Sequence, residues 1–232
     1  MKRDVIIACD FSNKETTLQF LDQFTGRKPF VKIGMELFYA EGPEMVREIK
    51  ARGHRIFLDL KLHDIPNTVY KAMKNVAALG VDITNVHALG GIEMMKAAQK
   101  AVDEVNPATK LIAVTQLTST SEENMHNELG IMMPINESIK QLARNTKAAG
   151  LAGVVCSPLE AGLVKEACGD EFLTVTPGIR FADDAASDQK RITTPAKAKE
   201  IGSSYIVVGR SITGASDPVA AYERCMKEFA ED

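Results

Sequence analysis

Residues 56–67 read IFLDLKLHDIPN, an apolar β-strand that runs into two acids, a lysine and a proline. Because successive side chains of a strand point to opposite faces, Asp59 and Lys61 share one face and the leucines between them take the other. Burying ionised groups without partners costs roughly several kcal/mol each, so the charged face must hold paired charges or a reactive site. A structural ion pair is one interpretation, but the third charge, Asp64, and the stop at Pro66 favour a site.

The same kind of strand recurs along the whole chain. Strand patterns occur at 5–10, 29–34, 56–61, 83–88, 110–116, 153–157, 172–176 and 205–210. Helical patterns follow them at 14–25, 42–52, 67–79, 91–104, 136–149, 159–168, 194–201 and 217–229, with Gly80, Gly150 and Gly202 as expected helix ends and Asp217-Pro218 as an expected start. Eight such units predict an α/β protein, a (β/α)8 TIM barrel that forms a single domain over residues 1–232. An open doubly wound sheet would more often stop at five or six strands.

The composition is that of an ordinary globular protein, with 45% hydrophobic and 25% charged residues. A net charge of -3 and the lack of a Lys/Arg run give no electrostatic basis for binding nucleic acid. The apolar run before Asp10 is too short for a signal peptide, and no stretch approaches the length of a membrane span. Four scattered cysteines without a Cys-x-x-Cys pair are typical of reduced thiols, so we expect a cytoplasmic protein.

Polar residues collect at the predicted carboxyl ends of the strands, where TIM barrels place their active sites. These residues are Asp10, Lys32, Asp59, Lys61, Asn85, His87, Thr115, Gln116, Thr118, Arg180 and Arg210. Lys32, Asp59 and Lys61 come from neighbouring strands and alternate in sign, so each charge can offset the next in a dry cavity. A lysine held between carboxylates can give a proton to a developing carbanion, and Lys61 is the candidate donor.

A second polar region combines glycines with arginines. Gly209 and Arg210 end the eighth strand, and the sequence Pro-Gly-Ile-Arg at 177–180 follows the seventh. Barrels frequently bind phosphate between these two loops, where backbone amides and an arginine converge, so we predict a phosphate site here. Residues 178–193 are long and polar, which suggests a lid. Residues 119–134 are either a second lid or a surface loop.

Several common catalytic motifs do not occur in the sequence. The chain has no Gly-x-Gly-x-x-Gly after the first strand, no His-Glu-x-x-His and no Gly-x-Ser-x-Gly, which disfavours dinucleotide-binding, zinc-protease and serine-hydrolase functions. The histidines at 54, 63, 87 and 126 lack metal-ligand spacing, so we expect structural roles for them and no metal site. His87 is the one histidine on a predicted strand end.

Together these residues resemble the orotidine 5'-phosphate decarboxylase family. The resemblance is carried by Asp10, Lys32, the run Asp59-x-Lys61-x-x-Asp64-Ile65-Pro66-Asn67-Thr68, Thr118, residues 177–180, Gln189 and Gly209-Arg210. The Asp-x-Lys-x-x-Asp element alone is shared by a wider superfamily of phosphate-binding barrels, whereas the whole ordered set is specific. The resemblance implies a homodimer that uses no cofactor and decarboxylates orotidine 5'-monophosphate to uridine 5'-monophosphate and CO2. This reaction is the last step of pyrimidine nucleotide synthesis.

The resemblance also implies roles for individual residues. The catalytic set would be Lys61, which protonates C6 of the pyrimidine, with Asp59, Lys32 and Asp64. The substrate-binding set would be Asp10 at the ribose hydroxyls, Thr118 at the pyrimidine edge, Gln189 and Arg210 at the phosphate, Arg180 beside the phosphate on the lid, and Thr68, Pro177 and Gly209. Asp64 and Thr68 would reach across the dimer into the neighbouring site.

Two other functions stay open. A magnesium-dependent sugar-acid phosphate decarboxylase or hexulose phosphate synthase of the same superfamily would share Asp59, Lys61 and Asp64. It would carry a metal-binding acid where this chain has Lys32, whose charge would repel Mg²⁺. A non-catalytic barrel that binds a nucleotide phosphate would keep Arg210 and its glycine, but it would not need the costly buried charges.

Overall fold

The computed structural model describes residues 3–184 and 193–231. Within them, eight parallel strands pair in chain order, and the last strand pairs with the first to close the barrel. Helices connect the strands, so the predicted (β/α)8 barrel is confirmed. In this part of the chain no helix is both long and apolar enough to cross a membrane.

The elements of the barrel are short and regular. The strands are β1 (Asp4–Ala8), β2 (Phe30–Gly34), β3 (Ile56–Leu62), β4 (Ile83–His87), β5 (Lys110–Val114), β6 (Gly153–Val155), β7 (Leu173–Thr176) and β8 (Tyr205–Val208). The helices are α1 (Lys14–Asp22), α2 (Met35–Glu41), α3 (Pro43–Ala51), α4 (Pro66–Ala77), α5 (Gly91–Val105), α6 (Glu122–Asn127), α7 (Ile135–Ala148), α8 (Ala161–Cys168), α9 (Pro195–Ile201), α10 (Arg210–Thr213) and α11 (Pro218–Phe229). Two 3-10 helices lie at Ala88–Gly90 and Pro158–Glu160.

Three of these helices, α2, α6 and α10, are absent from the sequence prediction. Each has seven residues or fewer, too few turns for an apolar period of 3.6 to be recognised. Helix α6 lies inside the 119–134 segment, where Ser121 caps it by accepting the Asn124 N–H. Helix α10 begins at Arg210, so β8 ends at Val208, two residues before its predicted end.

Helix ends follow the sequence signals closely. Gly80, Gly150 and Gly202 have φ values of 70°, 88° and 96°, the left-handed conformation predicted for helix ends. Asp217 accepts the Ala220 N–H, and Pro218 occupies the first turn of α11, as predicted. These caps fix the lengths of the connections and therefore the positions of the strands that follow.

Alternating side chains divide each strand between two apolar clusters. On the inward face Ile6, Phe30, Phe57 and Ile83 belong to one buried cluster that fills the barrel. On the outward face residues such as Leu58 and Leu60 pack in a larger cluster that includes helix residues. Two positions after each inward apolar residue come Ala8, Lys32, Asp59 and Asn85. The period of two therefore places these four side chains together above an apolar floor, at the carboxyl ends of the strands.

The packing of β6 against β7 gives a direct test of the barrel register. Gly153 pairs with Leu173, and a Cβ at Gly153 would lie 2.3 Å from the Leu173 carbonyl oxygen. We expect Gly153→Ala to lower the free energy of unfolding by about 1–3 kcal/mol, because the two strands would have to separate. Gly162→Ala in α8 meets no atom closer than 3.5 Å and should be neutral or stabilising by up to about 1 kcal/mol. Urea denaturation measures both, and wild-type stability of Gly153→Ala would contradict this register.

Candidate active site

The carboxyl mouth of the barrel holds a cavity that joins the two predicted polar regions. Its lining comprises Ala8, Asp10, Lys32, Pro177, Gly178, Ile179, Arg180, Val207, Gly209 and Arg210. The charged strand ends of β1 and β2 therefore share one space with the loops after β7 and β8. A single molecule with a polar group at each end could contact both regions.

Charges of alternating sign form a row along β1, β2 and β3. Lys32 Nζ lies 2.7 Å from Asp10 Oδ1 and 3.7 Å from Asp59 Oδ2. Lys61 Nζ lies 2.7 Å from Asp59 Oδ1 and ends the row. Lys32 and Asp59 each expose only 8% of their surface, so their burial is tolerable because each is compensated by an opposite charge. The structure thus brings together four of the predicted site residues.

Gly34, the last residue of β2, leaves the space that the row needs. A Cβ at this position would lie 3.0 Å from both Asp10 Oδ1 and Lys32 Nζ. Any side chain here would press on the ion pair and change its geometry. No role is predicted for Gly34 from the sequence, because a glycine between a strand and a helix is most simply interpreted as a turn residue.

Lys61 occupies an unusual backbone conformation. Its φ is 54°, and among the residues that the structure describes it is the one non-glycine with a positive φ. This left-handed conformation costs a residue with a Cβ about 1–2 kcal/mol. The pairing of β3 with β4 changes register between Leu58 and Leu62, so Lys61 lies in a bulge rather than in a regular strand. Its contact with Asp59 therefore depends on the bulge and not on simple alternation.

Asn85 on β4 is a site residue that the sequence analysis placed at a strand end without a role. Its Nδ2 donates to Asp59 Oδ1 at 2.7 Å, and its Oδ1 accepts the Lys61 backbone N–H at 2.8 Å. The side chain is fully buried. The available signal was its position two residues after Ile83, which puts a polar group on the inward face of the barrel.

Arg180 forms a fixed wall of the cavity on the side of β7 and β8. It is buried, its backbone N–H donates to the Thr193 carbonyl at 3.0 Å, and its Nη1 lies 3.5 Å from Ser211 Oγ. Ser211 in turn donates to the Asp184 carboxylate. The Arg180 Nε is buried without a hydrogen-bond partner, a donor that an anion would satisfy. Arg180 is predicted to lie on a lid, and among the described residues it contacts Ser211 of α10.

Asp64, Thr68 and Thr118 lie outside the cavity lining. Asp64 and Thr68, just before and within the first turn of α4, are exposed, and the Asp64 carboxylate accepts the N–H of its neighbour Ile65. Thr118 follows β5 at the same end of the barrel and is half-buried. Gln189, and residues 185–192 of the predicted lid at 178–193, lie outside the described residues.

The pKa values of two other groups near the row, His87 and Cys9, are shifted towards their neutral forms. The rings of His63 and His87 stack at 5.6 Å, and burial lowers the pKa of His87, with further lowering by His63 and Lys61. Burial raises the pKa of the Cys9 thiol, beside Asp10, to about 12, so it is not a thiolate nucleophile. Over residues 3–184 and 193–231, no three His, Cys, Asp or Glu side chains are grouped to hold a metal ion.

Known proteins resemble this chain both in sequence and in fold. The family model described as "Orotidine 5'-phosphate decarboxylase / HUMPS family" matches residues 3–225. The chain belongs to this family. Relatives named orotidine 5'-phosphate decarboxylase are 54% identical in Bacillus cytotoxicus and 57% identical in Staphylococcus saprophyticus, over 99% of this chain and 98% and 99% of theirs. The crystal structure of orotidine 5'-phosphate decarboxylase from Lactobacillus acidophilus has a TM-score of 0.89 and 48% identity, and the match covers 98% of this chain and 99% of that one.

Membership of the orotidine 5'-phosphate decarboxylase / HUMPS family confirms the resemblance predicted from the motifs, and with it an enzyme of the carboxy-lyase class. The magnesium-dependent alternative is not favoured, because these relatives carry the decarboxylase name over nearly the whole chain. The family match does not assign roles to single residues, which depend on the geometry of the charge row.

The strained backbone of Lys61 predicts an inverted order of stability between two variants. Lys61→Gly and Lys61→Ala remove the same amine, but glycine adopts a positive φ freely, so Lys61→Gly should be the more stable by about 1 kcal/mol. Lys110, exposed at the start of β5, provides the control. There the alanine variant should be the more stable, by about 0.5–1 kcal/mol. Urea denaturation compares the four proteins. If Lys61→Ala is more stable than Lys61→Gly, the backbone of residue 61 is not left-handed.

Proposed function

We propose that this enzyme converts orotidine 5'-monophosphate to uridine 5'-monophosphate and CO2 without a metal or cofactor, as the last step of pyrimidine nucleotide synthesis. The observation that carries the proposal is the row of alternating charges, buried at Lys32 and Asp59, that ends at the Lys61 ammonium. The names of the close relatives agree with this substrate. All four cysteines are buried thiols, which supports a cytoplasmic location.

The proposed chemistry places the proton donor next to the carbon that loses CO2. When the bond from C6 to the carboxylate breaks, its electron pair stays on C6 as a carbanion. The Lys61 ammonium stabilises this charge and then transfers a proton to C6, which leaves a neutral amine that regains its proton from water. Asp59, 2.7 Å from Lys61 Nζ, holds the ammonium in place before the substrate reacts.

Lys32 and Asp10 make this arrangement stable in the absence of substrate. Lys32 donates to Asp10 at 2.7 Å and lies near Asp59, so its charge offsets both carboxylates. The carboxylate of Asp10, which is exposed at the cavity, keeps acceptor capacity for the hydroxyls of a ribose. Because these groups are already aligned, little reorganisation is needed when the carbanion forms.

The other end of the cavity would bind the phosphate. Arg210 and Arg180 would contribute charge, and Gly209 would let a backbone amide approach the anion, with Gln189 as a further contact and Pro177 shaping the loop. Thr118 would contact the edge of the pyrimidine. Binding energy from the phosphate, remote from C6, would hold the base against the charge row.

We further propose a homodimer in which Asp64 and Thr68 complete the site of the neighbouring subunit. Both residues are exposed, and neither lines the cavity of its own chain. Ile65 between them is 67% exposed, although it is a large apolar residue beside the active site. The exposure of Asp64, Ile65 and Thr68 leaves this segment accessible to a second subunit.

The reaction is tested by the ultraviolet absorbance of orotidine 5'-monophosphate mixed with chelator-treated protein. The wild type should consume the substrate, Lys61→Ala should lower kcat by about 100-fold or more, and Arg210→Ala should act mainly by raising KM. Lys197→Ala, on the exposed surface of α9, is the control and should behave as the wild type.

Three outcomes of this assay would contradict the proposal. A near-normal rate of Lys61→Ala would exclude its role as proton donor. Turnover that needs added Mg²⁺ would support the metal-dependent alternative. Thermal stabilisation by uridine 5'-monophosphate without any turnover would support a non-catalytic nucleotide-binding barrel.

Mixed dimers test whether the site is shared between subunits. Lys61→Ala and Asp64→Ala should each be inactive, and an equal mixture that exchanges subunits should regain about one quarter of wild-type activity, because half of the dimers then contain one native site. A mixture of Lys61→Ala with Lys32→Ala is the matched control and should stay inactive, since both residues belong to one chain's site. Failure of the first mixture to regain activity would place Asp64 in its own chain's site or outside any site.

A further inference from the structure

Asn85 lies opposite the place where β3 leaves regular pairing. The register is regular at Phe57–Ile83 and Leu58–Thr84, and it resumes, shifted, at Leu62–Val86. Four steps along β3 thus correspond to two steps along β4, and Asn85 is the β4 residue inside this gap. Its side-chain oxygen accepts the Lys61 N–H, a bond that a regular ladder would have made to a backbone carbonyl.

The amide of Asn85 has one orientation that fits both neighbours. Its oxygen faces the Lys61 N–H and its nitrogen faces Asp59 Oδ1, so exchanging the two atoms would set donor against donor and acceptor against acceptor. The side chain is fully buried, so water does not replace either bond. The site therefore needs a short side chain with both a donor and an acceptor.

Asp59 Oδ1 accepts two hydrogen bonds at 2.7 Å, one from Asn85 Nδ2 and one from Lys61 Nζ. With Lys32 near its other oxygen, the carboxylate is held from three sides. The Asn85 bond is the one of these three contacts in which the partner of the Asp59 carboxylate is a neutral side chain. This bond can fix the rotation of the Asp59 carboxylate. Because an amide N–H is only a donor, it does not compete for the proton that Lys61 transfers.

We infer that Asn85 is a positioning residue for the decarboxylation, which holds the Lys61 backbone in its bulge and the Asp59 carboxylate against the Lys61 ammonium. The inference rests on the proposed function, because it concerns the alignment of the proton donor. Asn85 acts through these two residues, and no contact between it and the substrate is required.

A matched control separates positioning from simple stability. Thr84, next to Asn85 on β4, is also buried, and its hydroxyl donates to the Leu58 carbonyl on the same neighbouring strand at 3.0 Å. Thr84→Val removes one buried hydrogen bond between β3 and β4 but touches neither Lys61 nor Asp59. Both Thr84→Val and Asn85→Ala should therefore be less stable than the wild type, and only the second should lose turnover.

The experiment measures kcat, KM and the hydrogen exchange of the Lys61 backbone amide by NMR. Asn85→Ala should lower kcat by about 100-fold, as expected for a misplaced reacting group, with KM changed by less than about 3-fold. Exchange of the Lys61 amide should be at least about 10-fold faster. Asn85→Asp keeps the acceptor for the Lys61 amide, which should stay protected, while its second oxygen meets the Asp59 carboxylate, so that the two acids repel or share a proton and kcat still falls. If Asn85→Ala or Asn85→Asp does not fold, Asn85→Ser is measured in its place.

The outcomes distinguish this inference from the proposed function. If the wild type does not decarboxylate the substrate, the proposed function fails, and the Lys61 amide exchange still tests whether Asn85 holds the bulge. If the wild type turns over and Asn85→Ala keeps its kcat within about 3-fold, the positioning role is overturned while the decarboxylase stands. An equal loss of kcat in Thr84→Val would reduce the role of Asn85 to stability.

Discussion

Asp59 connects the site, because its carboxylate contacts three side chains. Lys61 lies on the same strand, β3, and Asn85 and Lys32 lie on the neighbouring strands β4 and β2. A carboxylate buried in this way is stable only when its partners approach closely and in the right directions. That requirement explains features that would otherwise be unrelated. Gly34 leaves space for the Asp10–Lys32 pair, and the bulge in β3 turns the next lysine back towards Asp59.

The closed barrel supplies what this arrangement needs. In a parallel barrel the strands present their carboxyl ends at one mouth, so one inward residue from each of β1 to β4 lies in or near the row. The opposite side of the same mouth consists of the loops after β7 and β8. The charge row is built mainly on strands, whose side chains are fixed by the apolar floor beneath them. The arginine half is built on loops and on the start of α10, which suits a group that must enter and leave.

Sequence periodicity was sufficient to predict the barrel and most of the row, because both depend on alternation along strands. The predicted ends of β1, β5, β6 and β8 lie two residues beyond the observed ones, because the sequence pattern continues after the ladder stops. Asn85 and Gly34 were not assigned, since their functions depend on a register shift and on a close approach that only three-dimensional structure shows. The left-handed backbone of Lys61 was equally inaccessible, because lysine gives no conformational signal comparable to glycine.

Lys32 stands between two carboxylates, and this position has an evolutionary consequence. Reversing the charge of that one side chain would replace a self-neutralised row by three converging carboxylates with Asp10 and Asp59. Clustered carboxylate oxygens are the ligands that Mg²⁺ selects. A new residue at this one position of β2 would therefore turn the row of the proposed metal-independent site into a set of Mg²⁺ ligands. Descendants of one ancestral scaffold could therefore diverge in chemistry while their folds stayed superimposable.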